Sequence, residues 1–179
     1  MCLVMIVGAA AGSCITLSNG RRVRIRPLRA CEAGTIRELF AHLSPRTRYL
    51  RFLSPMPTLP ESVLRLLLDV DQQRRMALVA HQAEGPGDVV GLGSFGAVDD
   101  DSAEVGLVVR DDWQGQGVGT VLASRLLQAA EDRGFHRFIA HVSSDNEPIR
   151  KILRQIAVVV SARLSGRASE LVFTRRLTL

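Results

Sequence analysis

The most telling chemistry in the chain sits in one short run, Gln114-Gly115-Gln116-Gly117-Val118-Gly119-Thr120. It follows an apolar, strand-like stretch over 103–110. It opens a long segment in which Val118, Val121, Leu122, Leu126, Ala129 and Ala130 recur at helical spacing. Glycines let the backbone turn tightly and leave unpaired amides converging on one point. With a helix dipole behind them, such amides hold a diphosphate. No Gly-Lys-Ser/Thr ending follows, so a nucleoside-triphosphate loop is not indicated. The plainer alternative is a glycine-rich strand-to-helix turn. A second cluster, Gly91-Leu92-Gly93-Ser94-Phe95-Gly96, spells G-x-G-x-x-G but runs on through Ala97-Val98 into Asp99, Asp100 and Asp101. A dinucleotide fingerprint must leave a strand and open a helix, and aspartates repel a pyrophosphate. This cluster reads instead as a glycine-rich central strand that allows close backbone approach.

The elements that must position these residues follow from periodicity. Residues 22–28 alternate charged and apolar, as a half-buried strand does. Ile36, Leu39, Phe40 and Leu43 share one helical face, which stops near Ser44-Pro45. That pair also suits a new helix start, with Ser44 as N-cap and Pro45 at the first helical position. A further helix spans about 60–68 through Val63, Leu64, Leu67 and Leu68. Strands over 76–83, 89–98 and 103–110, with turn clusters between them, form an antiparallel meander. The long helix ends near Arg133, with Gly134 past its end. Then come a strand over 135–143, a helix over 145–155 capped by Asp145, and two strands over 156–163 and 168–175. The predicted order is β-α-α-β-β-β-α-β-α-β-β, an α/β (α+β) chain with a mixed sheet.

Composition bounds the function. A chain of 179 residues with 46% hydrophobic content fits one folded domain and excludes disorder. Cys2, Cys14 and Cys31 are odd in number and form no C-x-x-C pair, which excludes a disulfide scaffold and points to reduced thiols in a cytoplasm. Cys31, on a helix flank, is expected to pack rather than react. The net charge is +5, yet Lys151 is the sole lysine, the arginines are scattered, and aromatic residues are few. That pattern argues against nucleic acid as a partner; a small anionic ligand uses positive charge equally well. The apolar stretch from Met1 to Gly12 lacks the basic start of a signal peptide and is shorter than the ~20 residues of a membrane span. It reads as a lead-in or an extra edge strand, with no membrane contact. The four histidines stand singly, so no metal is expected.

The segment from Val109 to Thr120 resembles the acetyl-CoA-binding motif of GNAT N-acetyltransferases, Q/R-x-x-G-x-G/A, and the predicted element order is that of the GNAT fold. Leu43-Ser44-Pro45 leading to Arg48-Tyr49-Leu50-Arg51-Phe52, then Met76-Ala77-Leu78-Val79-Ala80 and Ala103-Glu104-Val105, are similar to the GNAT domain of bacterial protein lysine acetyltransferases. The resemblance covers roughly 17–177, so residues 17–179 are expected as the GNAT domain and 1–16 as an apolar extension. It implies a mostly antiparallel central sheet flanked by helices.

The same resemblance implies a site. The amides of Gln114, Gly115, Gln116, Gly117, Val118, Gly119 and Thr120 would hold the CoA pyrophosphate. The backbone of Leu107, Val108 and Val109 would pair with the pantetheine arm. Asn146 would stand beside that arm, its alternative being a polar helix-start residue. A lysine amine, with a pKa of ~10.4, must lose a proton before it can attack a thioester. Glu104 matches the family's general base, and partial burial in its apolar strand is expected to raise its pKa; its alternative is an exposed or arginine-paired carboxylate. The chain departs from the family in two places. Its one tyrosine, Tyr49, lies in the wrong segment to protonate the thiolate, and Gln155-Ile156-Ala157-Val158 replaces the usual Gly-Phe ending. The expected activity is acetyl-CoA-dependent transfer to an amine, a protein lysine first. A small-molecule amine, or a non-catalytic acyl-CoA-sensing module, are the alternatives. Such domains often pair, so a homodimer is among the expected partners.

Overall fold

A computed structural model describes residues 14–85 and 87–176. Its elements are β1 (Cys14–Thr16), β2 (Arg22–Pro27), α1 (Ala33–Ala41), α2 (Pro45–Phe52), α3 (Glu61–Leu68), β3 (Arg75–Gln82), β4 (Val89–Ala97), β5 (Ser102–Val109), α4 (Val118–Glu131), β6 (Arg137–Ser143), α5 (Glu147–Ile156), β7 (Ala157–Ser165) and β8 (Ala168–Arg175). The strands make one sheet in the order β1-β2-β3-β4-β5-β6-β8-β7. Neighbours are antiparallel except for β5 and β6, which are parallel.

The central strands carry apolar side chains on both faces, because both faces are covered. In β3, Met76, Leu78 and Ala80 point into one core with Val118, Leu122 and Leu126 of α4. Ala77 and Val79 point into the other, with Ile36 and Leu39 of α1 and Leu64 and Leu67 of α3. The glycines of β4 serve the first core: a Cβ on Gly91 would stand 3.3 Å from Leu122 Cδ2, and one on Gly93 would stand 3.4 Å from Leu126 Cδ2. The glycine-rich strand therefore lets α4 lie close on the sheet.

Three differences from the predicted order stand out. An edge strand, β1, precedes the first predicted one; Met1 to Gly12, with most of the expected extension, lies outside the described residues. The segment after Ser44 is a helix of its own, α2, so three helices rather than two separate β2 from β3. Only Thr47 is buried in it, so no apolar stripe announces it. Finally, α5 begins later than predicted, capped by Asn146 rather than Asp145, because the Ile149 amide donates to Asn146 Oδ1 at 3.2 Å. Cys31 also departs from expectation: it lies exposed in the turn before α1.

One topological feature makes the site. β5 and β6 pair only through Ser102–Arg137, Ala103–Phe138 and Glu104–Ile139. Past Glu104 they diverge, and β6 keeps β8 as its partner. The edge of β5 facing β6 is thus unpaired along Val105 to Val109, with Glu104 at the apex of the wedge.

Candidate active site

A cleft of about 750 Å³ follows the wedge, lined by Leu107, Val108 and Val109 of β5, the start of α4, α5 and the inner face of α2. Its floor is open backbone. Unpaired amides and carbonyls on a strand edge are ready partners for any extended chain laid beside them.

At one end lies the glycine loop. Gly115 and Gly117 take φ of +71° and +93°, a conformation that side chains with a Cβ adopt at a cost. The first intrahelical bond of α4 runs from the Val121 amide to Gly117 O, at 3.1 Å. Among the described residues, the amides of Gly115 through Thr120 have no acceptor, and no side chain caps the helix. These free donors and the positive end of a fourteen-residue helix converge beside the cleft. The Gln114 amide is already engaged, donating to Asp111 O at 3.2 Å. Its side chain braces the loop, donating to Val109 O at 3.0 Å and Thr47 Oγ1 at 3.2 Å. Gln116 is held on its far side by Asn19, Arg21 and the Asp112 carbonyl. Val118 is buried in the core, and Gly119 packs against Ile152 of α5. Thr120 adds a hydroxyl near the cleft wall, 3.5 Å from Gln155 Oε1.

Residues with no part in the sequence reading of the site hold α2 against this loop. Asp111 accepts from the Ser44 amide at 2.9 Å, from Ser44 Oγ at 2.7 Å and from Thr47 Oγ1 at 2.7 Å. Burial alone would raise the Asp111 pKa; the Ser44 amide and the Thr47 and Ser44 hydroxyls outweigh it and hold the carboxyl below its usual range. The docked helix presents Thr47, Leu50 and Arg51 to the cleft. Ser44-Pro45 is the one local signal for it; the long-range partner Asp111 has none.

A second cavity, of about 290 Å³, continues past the wedge and contains Glu104, Arg51, Asn146 and apolar residues of α4, α5 and β6. Glu104 is exposed, contrary to the partial burial expected of it. The reason lies in its neighbours: its register partner in β4 is Gly96, and the next residue on its face of β5 is Gly106. Neither offers a side-chain wall. The Arg51 guanidinium rests on Gly106 instead, so closely that a Cβ there would overlap it. Its Nη2 donates to Ser94 Oγ at 3.2 Å, and its Nε is buried without a partner. Burial lowers the Arg51 pKa, while the Glu104 charge pulls it back up. Asn146 lines both cavities while capping α5, so the two readings of that residue coexist.

Among the described residues no three or more His, Cys, Asp or Glu side chains are grouped to hold a metal ion. No described helix is long and apolar enough to cross a membrane.

Comparison with known proteins agrees with this geometry. Residues 38–156 match a family model described as the acetyltransferase (GNAT) family. An acetyltransferase of Pseudomonas aeruginosa is 34% identical over 140 residues, 76% of this chain and 75% of that one. The acetyltransferase Pat of Mycolicibacterium smegmatis is 42% identical over 57 residues, 32% of this chain and 17% of its own length. The crystal structure of the GNAT domain of S. lividans PAT shares the fold with a TM-score of 0.83 at 23% identity, covering 93% of this chain and 98% of that one. YncA of Salmonella typhimurium, solved with its cofactor acetyl-CoA, aligns with a TM-score of 0.65 at 22% identity over 86% of this chain and 92% of that one.

Proposed function

The chain belongs to the GNAT acetyltransferase family, and from that premise we propose that it transfers an acetyl group from acetyl-CoA directly to a protein lysine, with Glu104 as general base. One juxtaposition carries the reading. Free amides at the α4 start, an unpaired β5 edge and the Glu104 carboxylate follow one another along a single continuous wedge. An extended carrier with a diphosphate at one end and a reactive thioester at the other fits that sequence of groups.

Bound there, acetyl-CoA supplies the acyl group as a thioester. The amides of Gly115 to Thr120 hold the diphosphate, since donors aimed by a helix start favour an anion. Gln114 acts through the loop, fixing it to Val109 and Thr47. Leu107, Val108 and Val109 offer backbone groups to the pantetheine arm, which explains why their side chains can stay apolar. Asn146 adds a polar wall on the opposite side. Glu104 receives the proton that the acceptor amine must lose, directly or through one water. Its exposure gives the acceptor a way in from the surface. The transfer proposed is direct, in a ternary complex; among the described residues no cysteine lines either cavity. The lysine acceptor rests on the resemblance of Arg48–Phe52, Met76–Ala80 and Ala103–Val105 to the GNAT domain of bacterial protein lysine acetyltransferases.

The test is E104Q. Removing a positioned base lowers turnover about 1000-fold, read as CoA thiol release, with CoA affinity by calorimetry unchanged. Wild-type turnover in E104Q removes Glu104 from the mechanism. Incubation with a cell lysate and acetyl-CoA, followed by mass spectrometry, is expected to reveal new acetyl-lysines; a bare proteome beside fast acetylation of a polyamine reassigns the acceptor.

A further inference from the structure

Arg51 is a charged group that this mechanism leaves unused. It stands where the two cavities meet and lines both. Among the described residues, only its Nη2 is engaged, by the Ser94 hydroxyl, and it forms no ion pair. Its Nε is buried without an acceptor, although a guanidinium presents a whole fork of N–H donors. The side chain as a whole is half-buried, so its head group opens onto the two cavities, while a buried donor such as Nε is ordinarily met by a partner, a ligand or water. The surroundings are arranged to keep it there. Gly106 has no Cβ, and only that absence lets the guanidinium lie flat on β5. Phe52, whose ring centre is 5.2 Å from Arg51 Cζ, flanks it. Glu104 attracts it without pairing to it, so the charge is not spent on the base.

Neither acetyl nor a lysine amine offers Arg51 an acceptor for a pair of N–H donors. The inner cavity also exceeds what a two-carbon acyl group fills: about 290 Å³ approaches the lower limit of ordinary small-ligand pockets, roughly 300 Å³. We propose that Arg51 is a specificity-determining residue that receives a carboxylate carried by a substrate, at the junction of the acyl-carrier cleft and the inner cavity. The carboxylate belongs to the distal end of a dicarboxylic acyl thioester or to an amino-acid-like acceptor. A planar fork engages carboxylate through paired N–H···O bonds that an ammonium cannot reproduce. This inference rests on reading the wider cleft as the acyl-CoA site.

The experiment uses the full chain. Calorimetry with CoA first tests the cleft itself. Steady-state kcat/KM is then measured in two arms. One arm compares malonyl- and succinyl-CoA with propionyl- and butyryl-CoA on a fixed lysine peptide. The other, with acetyl-CoA fixed, compares free amino acids with their carboxamides. In one arm the wild type is expected to favour the carboxylate-bearing substrate at least tenfold, as a hydrogen-bonded charge requires. R51Q loses that preference, and R51K keeps only part of it. Which arm responds identifies the source of the carboxylate. No preference by the wild type in either arm overturns the proposal even if R51Q fails to fold, and so does a preference that survives in R51Q. If CoA does not associate at all, the cofactor reading falls, and this one with it; association without carboxylate preference sinks this one alone.

Discussion

Two glycine-rich segments of this chain look alike as text and behave oppositely as structure. Gly91 and Gly93 lie in the middle of β4 under Leu122 and Leu126, where space is what a side chain would lack. Gly115 and Gly117 lie in the open, where a Cβ would meet nothing within 4 Å, yet both have positive φ. The first pair is required by packing and the second by torsion. Only the second leaves amides without acceptors, because only it is followed by the unpaired first turn of a helix. A strand consumes its amides in a ladder, so glycines there cannot build an anion site however they are spaced.

Substitution at the two places separates these roles. G117V forces a β-branched residue into φ near +93° and misaims the donors. It should weaken association with CoA about 100-fold, roughly 2.7 kcal/mol, by calorimetry, and the strained torsion should itself cost about 1–2 kcal/mol in urea unfolding. G91V meets Leu122 and the Val108 carbonyl, each 3.3 Å from a Cβ. It should cost about 2 kcal/mol in urea unfolding through overpacking, with CoA affinity of the folded protein altered less than about threefold. Equal losses of CoA affinity in both variants would erase the distinction between the segments.

What could be read from the sequence divides along the same line. The helix-opening context of Gly115 to Gly119 located the cleft, because local patterning governs a strand-to-helix turn. The alternation of β2 and the apolar runs of β3 and β5 placed the sheet. Long-range contacts were not legible. Glu104 is exposed because its register partner is Gly96, and nothing local pairs residues eight apart in the right strand register. Of α2 only the start was legible, in Ser44 as N-cap and Pro45 behind it; the rest was not, because its one buried residue, Thr47, is polar and its partner Asp111 lies 64 residues away. The Arg51 placement over Gly106 needs both α2 and β5 in position before it exists.

The α2–loop clamp offers the finest test of the comparison, since it acts on the torsional glycines and not on the buried ones. Asp111 joins the Ser44 amide and two hydroxyls to the stretch that leads into Gly115. D111N removes the charge while keeping the shape, and should weaken CoA association about fivefold. Stability falls by no more than about 1 kcal/mol, because the carboxylate is open to solvent. The sign with pH is fixed by the depressed carboxyl pKa. Its stabilisation is fully present above the ordinary aspartate value of ~3.9 and drains away as pH falls through the lower folded value. The gap in melting temperature between wild type and D111N should therefore hold steady down to about pH 4 and close below it. G91V, which touches no part of the clamp, should instead sit below the wild type by a constant margin over the same range. A D111N gap that ignores pH would show that shape rather than charge docks α2, and the loop amides would then owe their aim to Gln114 alone.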